Sequence, residues 1–230
     1  MKEMPESHQG PHQGQPVLSA SQPLEKAKAA MLMVHGRGAR AEDILALSTH
    51  LTQPGFAFLA PQAAGNIWYP NRFLAPLESN EPWLSSALAF LTSVCSQIFD
   101  AGISPRRTFL LGFSQGACLT LEFAARNARC YGGIAGLSGA LIGPANTPRV
   151  YPGSLDGTPV FLGCSDLDFH VPKEFVHHSA EVLKKLGGDV TTRLYPNMDH
   201  TVNQDELDFV NLMMKSLAAT QSDQHGMIGI

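Results

Sequence analysis

Short, nearly continuous apolar runs alternate along this chain with longer segments of helical periodicity. The strand candidates are Val17–Ala20, Ala30–Val34, Phe56–Ala60, Thr108–Gly112, Gly133–Leu137, Pro159–Gly163 and Val190–Tyr195. The helix candidates are Glu42–Leu51, Pro82–Phe99, Gln115–Arg129, Lys173–Leu186 and Gln204–Leu217. Because such runs are typical of strands covered on both faces, the pattern predicts an α/β fold with a mainly parallel sheet and helices on both faces. The first run, Val17–Ala20, is expected to pair antiparallel as an edge strand.

The two ends of the chain differ in composition from the rest. The first fourteen residues, MKEMPESHQGPHQG, are rich in Pro, Gly, His and Gln and hold too little apolar surface to order themselves. We therefore expect a flexible N-terminal tail over 1–14 and a flexible C-terminal tail over 221–230. The remaining segment, residues 15–220, is long enough to form one domain with a sizeable hydrophobic core.

The net charge and the cysteine content limit which binding partners and which cellular compartment we expect for this protein. A formal charge of −4 over 230 residues gives no reason to expect a nucleic-acid partner. No apolar run reaches the length of a bilayer span, and the N-terminus lacks the apolar segment of a secretory signal. The four cysteines do not follow metal-ligand spacings and are too few for a disulfide scaffold. We expect free thiols, a cytoplasmic location, no stable membrane insertion and no metal.

A serine lies between two glycines at one strand-to-helix junction. Gly112-Phe-Ser114-Gln-Gly116 closes the strand Thr108–Gly112 and opens the helix Gln115–Arg129. A turn this tight holds the serine in strained backbone geometry, and a side chain at either glycine would collide with neighbouring elements. The helix N-terminus beneath it favours developing negative charge. The context predicts Ser114 as the nucleophile of an α/β-hydrolase fold, and a Gly-rich turn that only packs a helix closely is the alternative.

The nucleophile needs a general base, because a hydroxyl is a poor nucleophile near neutral pH. In α/β-hydrolases the chain order is nucleophile, acid, histidine. His200 follows the strand Val190–Tyr195 by a short loop, whereas His170 lies where the acid is expected. We therefore predict His200 as the base. The other histidines are excluded by chain order (His8, His12, His35 and His50), by a predicted helix (His177 and His178) or by the tail (His225).

Two carboxylates compete for the role of the acid in the loop after Pro159–Gly163. Asp166 lies closer to the strand end, and Asp168 has an Asp-x-x-Val-Pro spacing into the next helix. We prefer Asp168 and expect Asp166 to cap the loop, the usual role of Asp in a turn. The acid fixes the imidazole tautomer and stabilises the imidazolium without taking up the proton.

An oxyanion hole is predicted at the same sheet edge. The strand Ala30–Val34 runs into His35-Gly-Arg37, where this fold supplies one oxyanion donor. We expect the backbone N–H groups of Arg37 and Gln115 to hold the oxyanion. The Arg37 side chain is expected to meet either an anionic substrate group or a surface carboxylate.

The substrate pocket is expected to be built by loops, since no insertion is large enough for a lid domain. The segment Pro61–Glu81 is long for a simple connection and carries Trp68, Tyr69 and Phe73. These aromatic residues are predicted to line the pocket, and anchoring of the loop is the alternative for each.

These motifs resemble the phospholipase/carboxylesterase family, which includes acyl-protein thioesterases and small bacterial carboxylesterases. Gly112–Gly116, His35–Ala39 and the Asp168 and His200 loops carry the resemblance, which extends over roughly Ala29 to Leu217. It implies hydrolysis of small-molecule esters or thioesters, with no cofactor and no metal, and makes 15–220 the catalytic domain. The oligomeric state is open, and a homodimer is compatible with the sequence.

Two departures from the family pattern bear on the substrate. Arg37 stands where acyl-protein thioesterases typically have a hydrophobic residue, and the acid loop is two residues longer between its Gly and Val-Pro. Both argue against depalmitoylation of proteins and favour a carboxylesterase for short-chain or aryl esters. The alternatives are an acyl-thioesterase or lysophospholipase, a dienelactone-type lactone hydrolase, and a catalytically silent binder of a small ligand.

Overall fold

A seven-stranded sheet forms the centre of the protein. The computed structural model describes residues 10–225, with side chains described through Leu217. The strands are β1 (Val17–Ser21), β2 (Ala29–Val34), β3 (Phe56–Pro61), β4 (Thr108–Phe113), β5 (Gly133–Leu137), β6 (Pro159–Ser165) and β7 (Asp189–Tyr195). Their spatial order is β1-β3-β2-β4-β5-β6-β7. β1 pairs antiparallel with β3 and all other neighbours pair parallel, so the predicted sheet and its antiparallel edge strand are confirmed.

Helices cover both faces of this sheet. They are α1 (Ala41–Ala46), α2 (Trp83–Asp100), α3 (Gln115–Arg126), α4 (Lys173–Lys185) and α5 (Gln204–His225). Alternate residues of each central strand point to opposite faces. Leu110 of β4 packs in one core with α2, α3 and α4, and its neighbours Phe109 and Leu111 pack in a second core with α1 and α5. The predicted α/β arrangement is confirmed, with no separate lid domain between Gly10 and His225.

Two helices end three or more residues before their predicted ends. The first helix is α-helical only to Ala46 and continues as a tighter 3₁₀ turn over Leu47–His50. The third ends at Arg126 rather than Arg129, because Asn127 leaves helical geometry and both its backbone and side-chain N–H groups donate to the Phe123 carbonyl.

The predicted N-terminal tail is wrong for residues 10–14, which pack on the domain. The His12 side chain is fully buried between Trp68 and Trp83, with ring centroids 5.4 and 5.5 Å away. Its Nδ1 accepts the Ala64 N–H at 3.1 Å, so Nε2 carries the proton and donates to the Trp68 carbonyl at 2.9 Å. A polar segment is thus ordered by aromatic contact and hydrogen bonds, whereas residues 1–9 lie outside the described part of the chain.

The predicted C-terminal boundary is also wrong, because α5 continues to His225 and the tail was expected from Gln221. The helix also continues past its predicted end at Leu217, although the sequence becomes polar there. Residues 226–230 lie outside the described residues.

Candidate active site

Ser114 lies at the turn between β4 and α3, at the carboxyl end of the sheet. Its backbone has φ 54° and ψ −119°, a left-handed conformation that costs free energy for a residue with a Cβ. Two hydrogen bonds hold the turn: the Ser114 N–H donates to the Leu137 carbonyl at 2.9 Å, and its carbonyl accepts the Cys118 N–H at 3.0 Å. The neighbouring strand and the first helical turn therefore maintain the strain that projects the hydroxyl from the sheet edge.

The two glycines beside Ser114 allow α3 to lie directly against the strands. A Cβ on Gly116 would overlap the backbone carbonyl oxygens of Val34 and His35. A Cβ on Gly112 would overlap the Gly116 carbonyl oxygen and lie 2.6 Å from Thr120 Oγ1. Any side chain at either position would push the helix N-terminus away from the serine.

Three residues that the sequence predicted as nucleophile, base and acid form one hydrogen-bonded chain. His200 Nε2 lies 2.8 Å from Ser114 Oγ, across 86 residues of sequence. On the other side of the ring, His200 Nδ1 lies 2.6 Å from Asp168 Oδ2. Because a carboxylate only accepts hydrogen bonds, Nδ1 carries the proton and Nε2 is free to accept the serine proton.

The Asp168 carboxylate is held by its own loop as well as by His200. Its second oxygen, Oδ1, accepts the His170 N–H at 2.7 Å and the Val171 N–H at 2.9 Å. Burial alone would raise the pKa of Asp168, but the hydrogen bonds from His200 and the two backbone N–H groups outweigh it and lower the pKa. The group is therefore ionised and fixed in orientation.

The competing residues of the acid loop have other contacts. Asp166 Oδ1 accepts the Asn197 N–H at 3.0 Å, so this carboxylate ties the acid loop to the loop that carries His200. The His170 ring lies 4.8 Å from the His200 ring, centroid to centroid, and faces the cavity. Geometry thus favours Asp168 over Asp166 as the partner of His200.

Arg37 and Gln115, whose N–H groups are predicted to form the oxyanion hole, both line a cavity together with Ser114. Within the part of the chain that the structure describes, neither the Arg37 nor the Gln115 N–H donates to a backbone carbonyl. The buried His35 below them is structural: it accepts the Ala63 N–H at Nε2 (3.1 Å) and donates from Nδ1 to the Gly36 carbonyl (2.8 Å). Its ring therefore shapes the turn that presents Arg37.

A cavity of about 270 Å³ opens beside Ser114. Tyr69 and Phe73 line it as predicted, but Trp68 does not. The Trp68 side chain is fully buried, and its Nε1–H donates to the His35 carbonyl at 2.8 Å. The prediction of Trp68 as a pocket residue is wrong, and the alternative of a loop anchor fits it, because its indole packs at a tilt against the His12 and His35 rings. The lining consists of Arg37, Tyr69, Asn71, Arg72, Phe73, Ser114, Gln115, Cys118, His170, Val171 and His200.

The Arg37 side chain does not meet a surface carboxylate among the described residues. Its Nη2 donates to two backbone carbonyls, Tyr69 at 2.8 Å and Asn71 at 2.7 Å. No ion pair found between Gly10 and Leu217 includes Arg37, so the expected surface ion pair is not present there.

The sequence profile of the phospholipase/carboxylesterase family matches residues 16–218. The chain belongs to this family. The match covers every strand of the sheet and the segments that carry Ser114, Asp168 and His200, and it confirms the resemblance drawn from the motifs. As a phospholipase/carboxylesterase family member with this sheet, the protein is a hydrolase of the α/β-hydrolase fold.

Individual relatives of this phospholipase/carboxylesterase family protein cover its length to different extents. The crystal structure of a phospholipase/carboxylesterase from Dyadobacter fermentans is 41% identical, covers 87% of this chain and 96% of its own, and has a TM-score of 0.85. Acyl-protein thioesterase 1 of Aspergillus fumigatus is 27% identical over 90% of this chain and 95% of its own length. Acyl-protein thioesterase 1 of Gibberella zeae is 36% identical, but that match spans only 55% of this chain and 54% of the relative.

Several residues of the site escaped the sequence analysis. Asn71 and Arg72 line the cavity, yet no motif singles them out. Gln115 was predicted only for its backbone N–H and as part of the family pattern, and the role of its side chain was not predicted. Cys118 also faces the cavity, and burial raises the pKa of its thiol to about 12, so it is a neutral wall of the pocket.

The described residues were compared with the patterns of metal clusters, membrane-spanning helices and disulfides. No cluster of three or more His, Cys, Asp or Glu side chains with metal-binding geometry occurs there. None of the described helices combines the length and apolarity needed to cross a membrane. All four cysteines are free, as expected.

Proposed function

We propose that this hydrolase cleaves small carboxylic esters through an acyl-enzyme on Ser114, with His200 as general base and acid and Asp168 as the orienting carboxylate. The observation that carries the proposal is the continuous chain of hydrogen bonds, 2.6 Å from Asp168 to His200 and 2.8 Å from His200 to Ser114. Nucleophilic catalysis requires a base within hydrogen-bond reach of the nucleophile and a third group that orients the base.

In the acylation step, His200 Nε2 takes the proton of Ser114 as Oγ attacks the ester carbonyl carbon. The carbonyl oxygen becomes an oxyanion held by the backbone N–H groups of Arg37 and Gln115. The new imidazolium is stabilised by the Asp168 carboxylate and then gives its proton to the departing alkoxide, as the bond to the leaving group breaks. Loss of one oxyanion donor typically costs roughly 10²–10³-fold in kcat.

In the deacylation step, water replaces the alcohol. His200 Nε2 takes one proton from the water as its oxygen attacks the acyl carbon, and a second tetrahedral oxyanion forms in the same hole. Collapse of this intermediate breaks the bond to Ser114 Oγ, which recovers its proton from His200. The products are a carboxylic acid and an alcohol, and the enzyme returns to its starting state with no cofactor consumed.

The size of the cavity supports a small acyl or aryl group. Small-molecule sites commonly measure about 300–1,000 Å³, and the cavity beside Ser114 measures about 270 Å³. Its walls include the Phe73 and Val171 side chains, both buried, which suit a short apolar group. A palmitoyl chain would need additional space along the surface.

A thioesterase is the second candidate function, since relatives spanning most of the chain are named acyl-protein thioesterase 1. Ser114 would attack a thioester carbonyl with the same base and acid, and the leaving thiolate needs less protonation by His200 than an alkoxide does. The two candidates therefore differ in substrate, and acyl chain length separates them.

A series of p-nitrophenyl esters from acetate to palmitate tests the proposal, with wild type, Ser114→Ala and Asp168→Asn in parallel. We expect a preference for short chains that disappears in Ser114→Ala. Highest kcat/KM on long chains would favour the thioesterase or lysophospholipase. Wild-type turnover retained by Ser114→Ala would contradict the proposal.

A further inference from the structure

The rim of the catalytic cavity carries two arginine side chains that form no ion pair. Arg37 and Arg72 both line the cavity beside Ser114. None of the ion pairs among the described side chains involves either guanidinium. No Asp or Glu belongs to the described lining, and the Asp168 carboxylate is fully buried behind His200. Two arginines without a carboxylate partner among the described residues thus line the cavity of the nucleophile, in a chain with a formal charge of −4.

The Arg37 guanidinium is held in place although its side chain is exposed. Both of its hydrogen bonds, to the Tyr69 and Asn71 carbonyls, use Nη2. Within residues 10–217, Nη1 and Nε make no further hydrogen bond, so they remain available to a ligand. A guanidinium that is already oriented loses less conformational entropy when it binds an anion, and its planar fork matches a carboxylate.

The Arg72 guanidinium lies against the acid loop at the same cavity. Its Nη2 lies 3.5 Å from the Phe169 carbonyl of that loop. That distance is at the limit of a hydrogen bond, so the contact places the group without neutralising it. The two arginines therefore stand on the rim, while Tyr69, Phe73 and Cys118 form the buried walls.

We propose that the natural ester carries an anionic group, of the carboxylate type, within a few bonds of the scissile carbonyl, and that Arg37 and Arg72 bind it. This inference rests on the proposed ester hydrolysis and specifies its substrate class. Arg37 supplies a backbone N–H to the proposed oxyanion hole and a guanidinium from the same residue, so the anion lies close to the reacting carbonyl. The apolar part of the substrate fills the buried end of the cavity.

Two pairs of isosteric esters test for this charge preference. The first pair places the charge on the acyl group: the mono-p-nitrophenyl ester of adipic acid against the same ester of adipic acid monoamide. The second places it on the leaving group: para-acetoxybenzoate against para-acetoxybenzamide. We expect kcat/KM to favour the anionic member of one pair by roughly tenfold or more, the scale of a charge-assisted hydrogen-bond pair. The preferred pair identifies which half of the ester carries the charge.

Two substitutions and one control test whether the rim arginines cause the preference for an anionic ester. Arg37→Gln and Arg72→Gln should each lower the ratio of anionic to neutral kcat/KM at least threefold, whatever they do to turnover of the neutral ester. Arg106→Gln removes the same charge from an exposed residue before β4, at the opposite edge of the sheet, and should leave the ratio unchanged. Raising the ionic strength should lower the wild-type ratio, because the rim is open to solvent. If Arg37→Gln does not fold, Arg72→Gln carries the test alone.

The outcomes separate this inference from the proposed function. If wild type hydrolyses the neutral esters and its ratio of anionic to neutral kcat/KM is near or below one in both pairs, the proposal of an anionic substrate is overturned. The proposed ester hydrolysis would remain. A high ratio that survives in the folded rim variants would overturn the role of the arginines. Failure of wild type to hydrolyse any of the four esters would overturn the proposed function, and this inference with it.

Discussion

The Tyr69 carbonyl oxygen accepts hydrogen bonds from both residues whose N–H groups form the proposed oxyanion hole. Gln115 Nε2 donates to it at 2.8 Å, and Arg37 Nη2 donates to it at 2.8 Å from the other side. Gln115 Oε1 also accepts the Trp68 N–H at 3.0 Å, so the Gln115 side chain binds the backbone of two successive residues. One loop thereby links the two halves of the hole, although they come from different strands.

Gln115→Leu should therefore reduce catalysis as well as stability. The substitution leaves the Trp68 N–H and part of the bonding of the Tyr69 carbonyl unsatisfied in a buried site, at a cost of about 1–3 kcal/mol. We expect kcat/KM on a short-chain ester to fall about tenfold or more, with a lower Tm in thermal unfolding. Gln97→Leu, at an exposed position of α2, is the matched control and should change neither quantity appreciably. Full activity in Gln115→Leu would disprove the link.

The two aspartates of the acid loop should give opposite results when each is replaced by asparagine. Asp168→Asn removes the acceptor that fixes the His200 tautomer and should lower kcat by roughly 10³–10⁴-fold. Asp166→Asn keeps an oxygen for the Asn197 N–H and should retain kcat within severalfold. Steady-state kinetics on one ester compares them directly, and the reverse ranking would mean that Asp166 is the acid.

His12 should stabilise the folded protein above its ordinary pKa of 6.5. Burial lowers the pKa of His12 in the folded state, so the unfolded chain binds the proton first as the pH falls. The stability contributed by the neutral ring is present above pH 6.5 and is lost below it, with buried His35 shifted in the same direction for the same reason. Urea unfolding between pH 5 and 7.5 should show this loss.

Substitution of His12 separates its contribution from that of His35. His12→Ala should cost about 1–3 kcal/mol at pH 7.5, because it leaves the Ala64 N–H and the Trp68 carbonyl unpaired, and it should weaken the acid dependence. His50→Ala, at an exposed position, serves as the control. An unchanged unfolding free energy in His12→Ala would show that residues 10–14 do not pack as described.

Glu206 should have the opposite effect, with stability lost as the pH rises from 4.5 to about 7. Burial raises the pKa of this carboxyl to about 7; Oε2 accepts the Asn203 N–H at 2.9 Å, while Oε1 packs on Gly163 without a partner among the described residues. A pKa raised by folding gives stability that is complete below the unfolded value of 4.5 and lost as the pH rises through about 7.

Glu206→Gln should remove this loss of stability between pH 4.5 and about 7. The variant should keep about 1–3 kcal/mol more of its pH 5.5 stability at pH 8.5 than wild type does. Glu174→Gln, on the exposed side of α4, should behave as wild type. An equal loss of stability from pH 5.5 to pH 8.5 in wild type and Glu206→Gln would refute the assignment.

The sheet and the order of the proposed triad could be predicted because they depend on local pattern. Continuous apolar runs identify strands buried on both faces, and the edge strand Val17–Ser21 shows a mixed burial pattern. Ser114 lies at a strand-to-helix junction that needs glycines on both sides, which a sequence displays directly. The chain order of this fold then leaves few residues to consider for base and acid.

The remaining parts depend on contacts between distant segments, which periodicity does not encode. His12 looked like part of a polar tail, and its burial depends on an aromatic pocket formed by Trp68 and Trp83, more than fifty residues later. Trp68 lies in a loop that does face the cavity, but its indole turns inward to reach the His35 carbonyl. Neither orientation follows from residue type or spacing.

Covalent labelling of Ser114 tests the central claim most directly. A fluorophosphonate transfers its phosphonyl group to an activated serine hydroxyl with loss of fluoride, and peptide mass spectrometry locates the adduct. We predict one adduct per chain, on the peptide that contains Ser114, in wild type and none in a Ser114→Ala variant with unchanged circular dichroism and Tm. A wild-type enzyme that hydrolyses esters but is modified elsewhere, or a Ser114→Ala variant that labels equally, would contradict the account.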